Sequence, residues 1–173
     1  MNLWKIFGIA DKQQHGEKNS DLGKLFDGMQ EIAKGNSEED IKLITGFAGL
    51  LGKVAYADME ISDVEINRIR SVLSNTLHLS HKQVDSIIEL LAKNRVQLFS
   101  VEDYLYTRLI NAVCDKEQKM DLLKALFTVA AADESVSAEE EAAIRIVSKG
   151  LFLSHGDFIS IRVQFKEHLD VLK

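Results

Sequence analysis

Ala55-Tyr56-Ala57-Asp58-Met59-Glu60-Ile61-Ser62-Asp63-Val64-Glu65 is a stretch that the chain uses twice. The second copy is Ala130-Ala131-Ala132-Asp133-Glu134-Ser135-Val136-Ser137-Ala138-Glu139-Glu140, at a constant offset of 75 from the first. Both obey the pattern Ala-Asp-x-x-(Ile/Val)-Ser-x-x-Glu. Ser-x-x-Glu is a capping box. The serine oxygen takes an orphan N–H of the first helical turn, and the glutamate reaches back to the serine N–H. Ser62 and Ser137 are therefore expected to open helices, and losing such a cap costs about 1 kcal/mol. The alanine-rich run before each Asp reads as the end of a preceding helix whose small side chains permit close packing. Each copy is thus helix, short acidic turn, capped helix. Ile61 can staple onto Ile66, whereas Glu141 holds the matching place in the second copy, so no staple is expected there.

The likeness continues downstream. Leu77-His78-Leu79-Ser80-His81 returns as Leu151-Phe152-Leu153-Ser154-His155, now at an offset of 74. Deletion of a single position is what a turn tolerates and a helix interior does not.

Helical spacing fills the rest of the chain. Leu22, Leu25, Phe26, Met29, Ile32 and Ala33 predict a helix near 22–34, ended by Gly35. Ser37 caps a helix to about Ala57, with Ile41, Ile44, Phe47, Ala48, Leu51 and Ala55 inward. A helix from Asp63 to Leu77 follows, then one over 81–93 behind the box Ser80-x-x-Gln83. Residues 94–99 read as a turn, and Ser100 with Asp103 as the start of a helix to about Cys114. Asp115 caps a helix over 116–132; helices over 138–151 and 155–171 complete the chain. No stretch alternates with the period of two that a sheet needs. The expected architecture is all-α: a bundle of seven to eight helices with an internal pseudo-twofold repeat. Its copies span about 41–93 and 116–171, within a helical domain over 22–172.

Residues 1–21 stand apart as an N-terminal apolar segment and a polar linker. Leu3, Trp4, Ile6, Phe7 and Ile9 give the start its bulk, and 11–21 are polar and aperiodic. The segment reads as chain docked on the core or a frayed end, or else as a membrane- or partner-binding element.

Composition narrows the function. With 173 residues, 46% hydrophobic residues and no proline, the chain can bury a real core and favours helix. Cys114 is the single cysteine, so no internal disulfide can form, which fits a cytoplasmic protein. There is neither a signal-peptide core nor an apolar run of transmembrane length. The net charge of −6 argues against a nucleic-acid partner. Asp58, Glu60, Asp63 and Glu65 in one window, and Asp133, Glu134, Glu139, Glu140 and Glu141 in the other, face no Lys or Arg within them. These carboxylates outnumber the net charge, so the remainder of the chain is net positive. Acid in a first helical turn also serves the helix dipole, which explains part of this.

Catalytic and metal signatures fail one after another. An EF-hand needs Gly at loop position 6 and Glu at 12. Counted from Asp58 those places hold Asp63 and Ile69, and from Asp133 they hold Ala138 and Ile144. Scattered histidines with one cysteine do not make a zinc site. Neither a Walker loop, a dinucleotide fingerprint nor a nucleophile elbow is present, so no enzyme is expected.

The duplicated motif, each copy closing an Ala-rich helix and opening a capped one, resembles the TerB-like tellurite-resistance family. The likeness is strongest over 48–73 and 124–158. It implies a non-enzymatic, cytoplasmic module of a stress-response system, with an acidic patch that binds or senses cations. It further implies a protein partner in a membrane-associated complex, on the inner membrane face. Carried over by position, the metal ligands would be Asp58, Glu65, Asp133 and Glu140. Glu60, Asp63, Glu134, Glu139 and Glu141 would form the patch periphery. The cofactor would be a hard divalent cation, Ca²⁺, Mg²⁺ or Mn²⁺. The alternative is an interaction scaffold whose acidic turns are only helix caps. The family usually places Gly after the Asp; here Met59 and Glu134 stand there, which removes an easy left-handed conformation.

Overall fold

One helix, Glu38–Ala55, lies at the centre of the molecule because it is apolar on nearly every side. The computed structural model describes residues 18–56 and 63–169. Within that helix (α2), twelve of 18 residues are buried, among them Ile41, Ile44, Phe47, Leu51 and Ala55. Ser37 caps its start as expected, and the cap is a full box: Ser37 Oγ accepts from Asp40 N at 3.1 Å, and Asp40 Oδ2 accepts from Ser37 N at 3.0 Å.

Around it, in chain order, lie α1 (Lys18–Ile32), α3 (Asp63–Leu77), α4 (His81–Lys93), α5 (Arg95–Ser100) and α6 (Asp103–Asn111). Then come α7 (Lys116–Ala130), α8 (Ala138–Gly150) and α9 (His155–Arg162). Helices α1 and α3 to α8 all touch α2. The closest crossing is with α6, and glycine makes it possible. A Cβ at Gly46 would stand 2.9 Å from the Tyr106 carbonyl oxygen, and one at Gly49 would overlap the buried Tyr106 ring.

The chain is all-α, as expected: nine α-helices among the described residues, and no strand beyond one isolated bridge. The box Ser80–Gln83 opens α4, Asp115 with Gln118 opens α7, and Ser137 with Glu140 opens α8. Helix α3 begins at Asp63 as predicted, although Ser62, its expected cap, and Ile61, the expected staple residue, fall outside the described residues.

Three expectations are corrected. Residues 94–99 form no simple turn, because Arg95–Ser100 is a short helix pinned by the fully buried Leu98. Ser100 does not cap α6, whose N-cap is Glu102. The Ser100 hydroxyl instead donates to Asp21 Oδ2 at 2.7 Å and to Gln97 O at 2.8 Å. The last helix stops at Arg162 and tightens into a 3₁₀ segment, Val163–His168. Val136 N then donates to His168 O at 2.7 Å, and Val136 forms a parallel bridge with Leu169. The segment is thereby held by a partner distant in sequence, a tertiary contact that overrides helical spacing. Smaller shifts occur at element ends: α1 starts a turn early, and α6 ends before Cys114.

Helices α3 and α8 finish alike. His78 (φ 52°) and Phe152 (φ 59°), the residues just beyond them that match at an offset of 74, are both left-handed. Left-handed backbone at a non-glycine residue is uncommon, so its recurrence at matched positions follows the sequence likeness.

Candidate functional site

The second acidic turn grows out of the end of α7. After Ala130 the chain tightens into a 3₁₀ turn, Ala131–Asp133. Asp133 Oδ1 accepts from Ser135 N at 3.2 Å, a side-chain turn of the kind short acidic residues favour. Glu134 then adopts φ 72° and ψ 8°. The left-handed conformation that glycine would supply is kept here by a glutamate, at a cost of about 1 kcal/mol. Ser137 follows and caps α8. Its Oγ accepts from Glu140 N at 3.2 Å, while Glu140 Oε2 accepts from Ser137 N at 2.8 Å and from Ser137 Oγ at 2.9 Å.

The first acidic turn is described in part. Asp58, Glu60 and Ser62 lie outside the described residues. Asp63 opens α3 and is exposed, whereas Glu65 is buried, 7% exposed against 5% for Glu140, its match at an offset of 75. Helix α3 packs against the 3₁₀ turn Ala131–Asp133, so the elements carrying Glu65 and Asp133 adjoin. Among the described residues, no group of three or more His, Cys, Asp or Glu side chains is gathered as a metal site.

The periphery divides. Glu134 and Glu139 are exposed with Asp63, but Glu141 does not belong to an open acidic surface. Glu141 Oε1 accepts from Arg145 Nη2 and from Arg162 Nε, both at 2.9 Å, and Oε2 accepts from Arg162 Nη2 at 3.0 Å. The hydrogen bonds from Arg162, then those from Arg145, hold its carboxyl below the usual range against the opposing effect of burial. Arg145 also lies over the Phe158 ring, 4.4 Å from its centroid. Sequence reasoning missed this cluster. The available signal was a glutamate where a staple would put an apolar residue, because a charge in a buried place requires a partner.

A second acid at a helix start is also paired. The Ser154 hydroxyl, then Lys116 at 2.9 Å, lower the half-buried Asp157 to about 2. Cys114 is half-buried, and burial pushes its thiol up, away from a reactive thiolate.

Two clefts open between helices. One, of about 380 Å³, lies between α2 and α8 and includes Leu50, Lys53, Ala143, Ile146 and Val147. The other, of about 250 Å³, lies between α7 and α3 and includes Ala125, Thr128, Arg68, Ser71 and Val72. Taken in that order, the five positions of one cleft pair with the five of the other at the same offset of 75. Leu50, Ala143 and Ile146 of the first cleft are matched by Ala125, Arg68 and Ser71 in the second, so matched frames carry different side chains.

An all-helical bundle whose described acidic turn, residues 131–135, leads into a capped helix defines the class. The chain belongs to the family described as tellurite resistance protein TerB, whose model matches residues 45–163. No curated protein and no solved structure matches it. Among the described residues, no helix is long and apolar enough to cross a membrane.

Proposed function

We propose that this chain is a non-enzymatic, cytoplasmic cation-binding or cation-sensing module of a tellurite-resistance-like stress-response system. The supporting observation is the packing of α3 on the 3₁₀ turn Ala131–Asp133, which sets the helix opened by the first acidic turn against the second turn. Oxygen donors in such turns suit Ca²⁺, Mg²⁺ or Mn²⁺ rather than zinc. Asp58, Glu65, Asp133 and Glu140 are the proposed ligands. Ser137 already engages Glu140 Oε2, so Asp58 and Asp133 bear the larger share. Affinity in the micromolar-to-millimolar range is expected of a weakly preformed oxygen site.

The alternative reading, an interaction scaffold with acidic turns acting only as caps, is favoured by one observation: the complete box at Ser137–Glu140 gives that carboxylate a structural task. Calorimetric titration with Ca²⁺, Mg²⁺ and Mn²⁺ separates the two. Cation binding predicts heat for the native chain that disappears in Asp58→Asn/Asp133→Asn. Equal heats for both proteins, or none for either, leave the scaffold reading.

A further inference from the structure

The apolar cleft between α2 and α8 continues past Phe99 into a second hollow of about 410 Å³, lined by Tyr56, Arg95, Val96 and Phe99. The two form one groove along α5. Three large apolar side chains lie open in it: Val96 at 77% exposure, Ile146 at 54% and Phe99 at 42%. Its cations are occupied. Lys53 pairs with Asp103, and Arg95 lies over the Tyr56 ring, 5.5 Å from its centroid. Apart from the exposed Glu139, the described lining left for an occupant is apolar, and an exposed apolar groove of this kind marks a binding surface.

We propose that the occupant is this chain's own N-terminal segment, residues 3–9. Residues 1–17 lie outside the described part of the chain and join it at Lys18, the first residue of α1. The first turn of α1 is fastened beside the groove, because the Ser100 hydroxyl donates to Asp21 Oδ2 at 2.7 Å and Ser100 adjoins Phe99. The linker 11–17 reaches up to roughly 23 Å when extended, at about 3.3 Å for each residue. Leu3, Trp4, Ile6, Phe7 and Ile9 are thereby tethered within reach, with Lys5 the only charged side chain among residues 2–10. Leu3, Ile6, Phe7 and Ala10 follow the spacing with which an amphipathic helix enters an apolar groove. A short tether gives an effective concentration in the millimolar range, which a free partner seldom reaches. An unidentified partner, a second copy or a lipid surface would have to displace this segment first.

Trp4 is the only tryptophan, so its fluorescence reads the occupant directly in the full chain. Docking predicts a blue-shifted emission, independent of protein concentration and present without lipid. Val96→Glu and Phe99→Glu should each move the emission to the red and raise acrylamide quenching by about twofold or more as the ring loses its apolar surroundings. Val96 is largely exposed, so its substitution leaves folding intact, and far-UV circular dichroism checks this. Four results overturn the proposal: a solvent-exposed Trp4 in the native chain; shielding unaffected by either groove variant; shielding only at concentrations where sedimentation shows a dimer; or shielding only after phosphatidylglycerol vesicles are added.

Discussion

Glu141→Ala should be among the most damaging single changes near the acidic turns, although Glu141 contributes nothing to the proposed cation site. Three charge-assisted hydrogen bonds end on its carboxylate. The Arg145 side chain is 39% exposed, so solvent screens its share. The Arg162 side chain is 18% exposed and loses two bonds at once. Truncation leaves that guanidinium mostly buried without its partner, which costs about 3 kcal/mol. For a chain of this size the loss corresponds to a melting temperature lower by roughly 6–12 °C. Urea unfolding of Glu141→Ala, Arg162→Met and Glu141→Leu/Arg162→Met forms the assay. The double variant should recover much of the loss, because it leaves no orphaned charge. The pH dependence has a definite sign. Arg162 holds the folded-state pKa of Glu141 below its unfolded value, so between the two the unfolded chain binds more protons. The stabilisation is complete above the unfolded value, near 4.5, and is lost as pH falls through the folded one. A loss under about 1 kcal/mol for Glu141→Ala, or a loss unchanged down to pH 3, would refute the burial argument.

Glu134→Gly should raise stability by about 1 kcal/mol, since glycine takes φ 72° without the steric penalty; thermal unfolding reads the gain. Ser137→Ala should cost about 1 kcal/mol by removing the cap of α8, visible as a lower urea midpoint at unchanged slope. Gly49→Ala should cost about 1–3 kcal/mol, because its methyl group meets the enclosed Tyr106 ring, and the same measurement checks it.

Local chemistry was the legible part of this chain. The caps Ser37, Ser80, Asp115 and Ser137 each name a helix start from local residues, and all four form. Ser154 with Asp157 is a fifth box of the same kind. What eluded sequence reasoning depends on distant partners. Helix α5 is too short for its own propensity to announce it and is held by Leu98 in the core. Ser100 had a capping pattern with Asp103, yet Asp21, far away in sequence, takes its hydroxyl. The break at Arg162 has no proline or glycine to mark it, and the segment beyond it pairs with Val136, distant in sequence. Of the proposed ligands, Glu65 and Glu140 were legible as capping positions, and their burial accords with that task. Arg162 as the partner of Glu141 was not legible, because nothing local links two positions so far apart in the chain. The matched clefts and the left-handed His78 and Phe152 support the internal repeat. Superposing α2–α3 on α7–α8 in an experimental structure tests that repeat directly.

The most direct test of the account asks whether both acidic turns serve one cation. Mn²⁺ is added in small steps to ¹⁵N-labelled protein, and paramagnetic broadening of backbone amides is followed. The account predicts that amides of Asp58–Asp63 and of Asp133–Ser135 broaden together, with one midpoint, and that Asp58→Asn weakens the effect at both turns. Broadening at one turn alone, separate midpoints, or no selective broadening would contradict it.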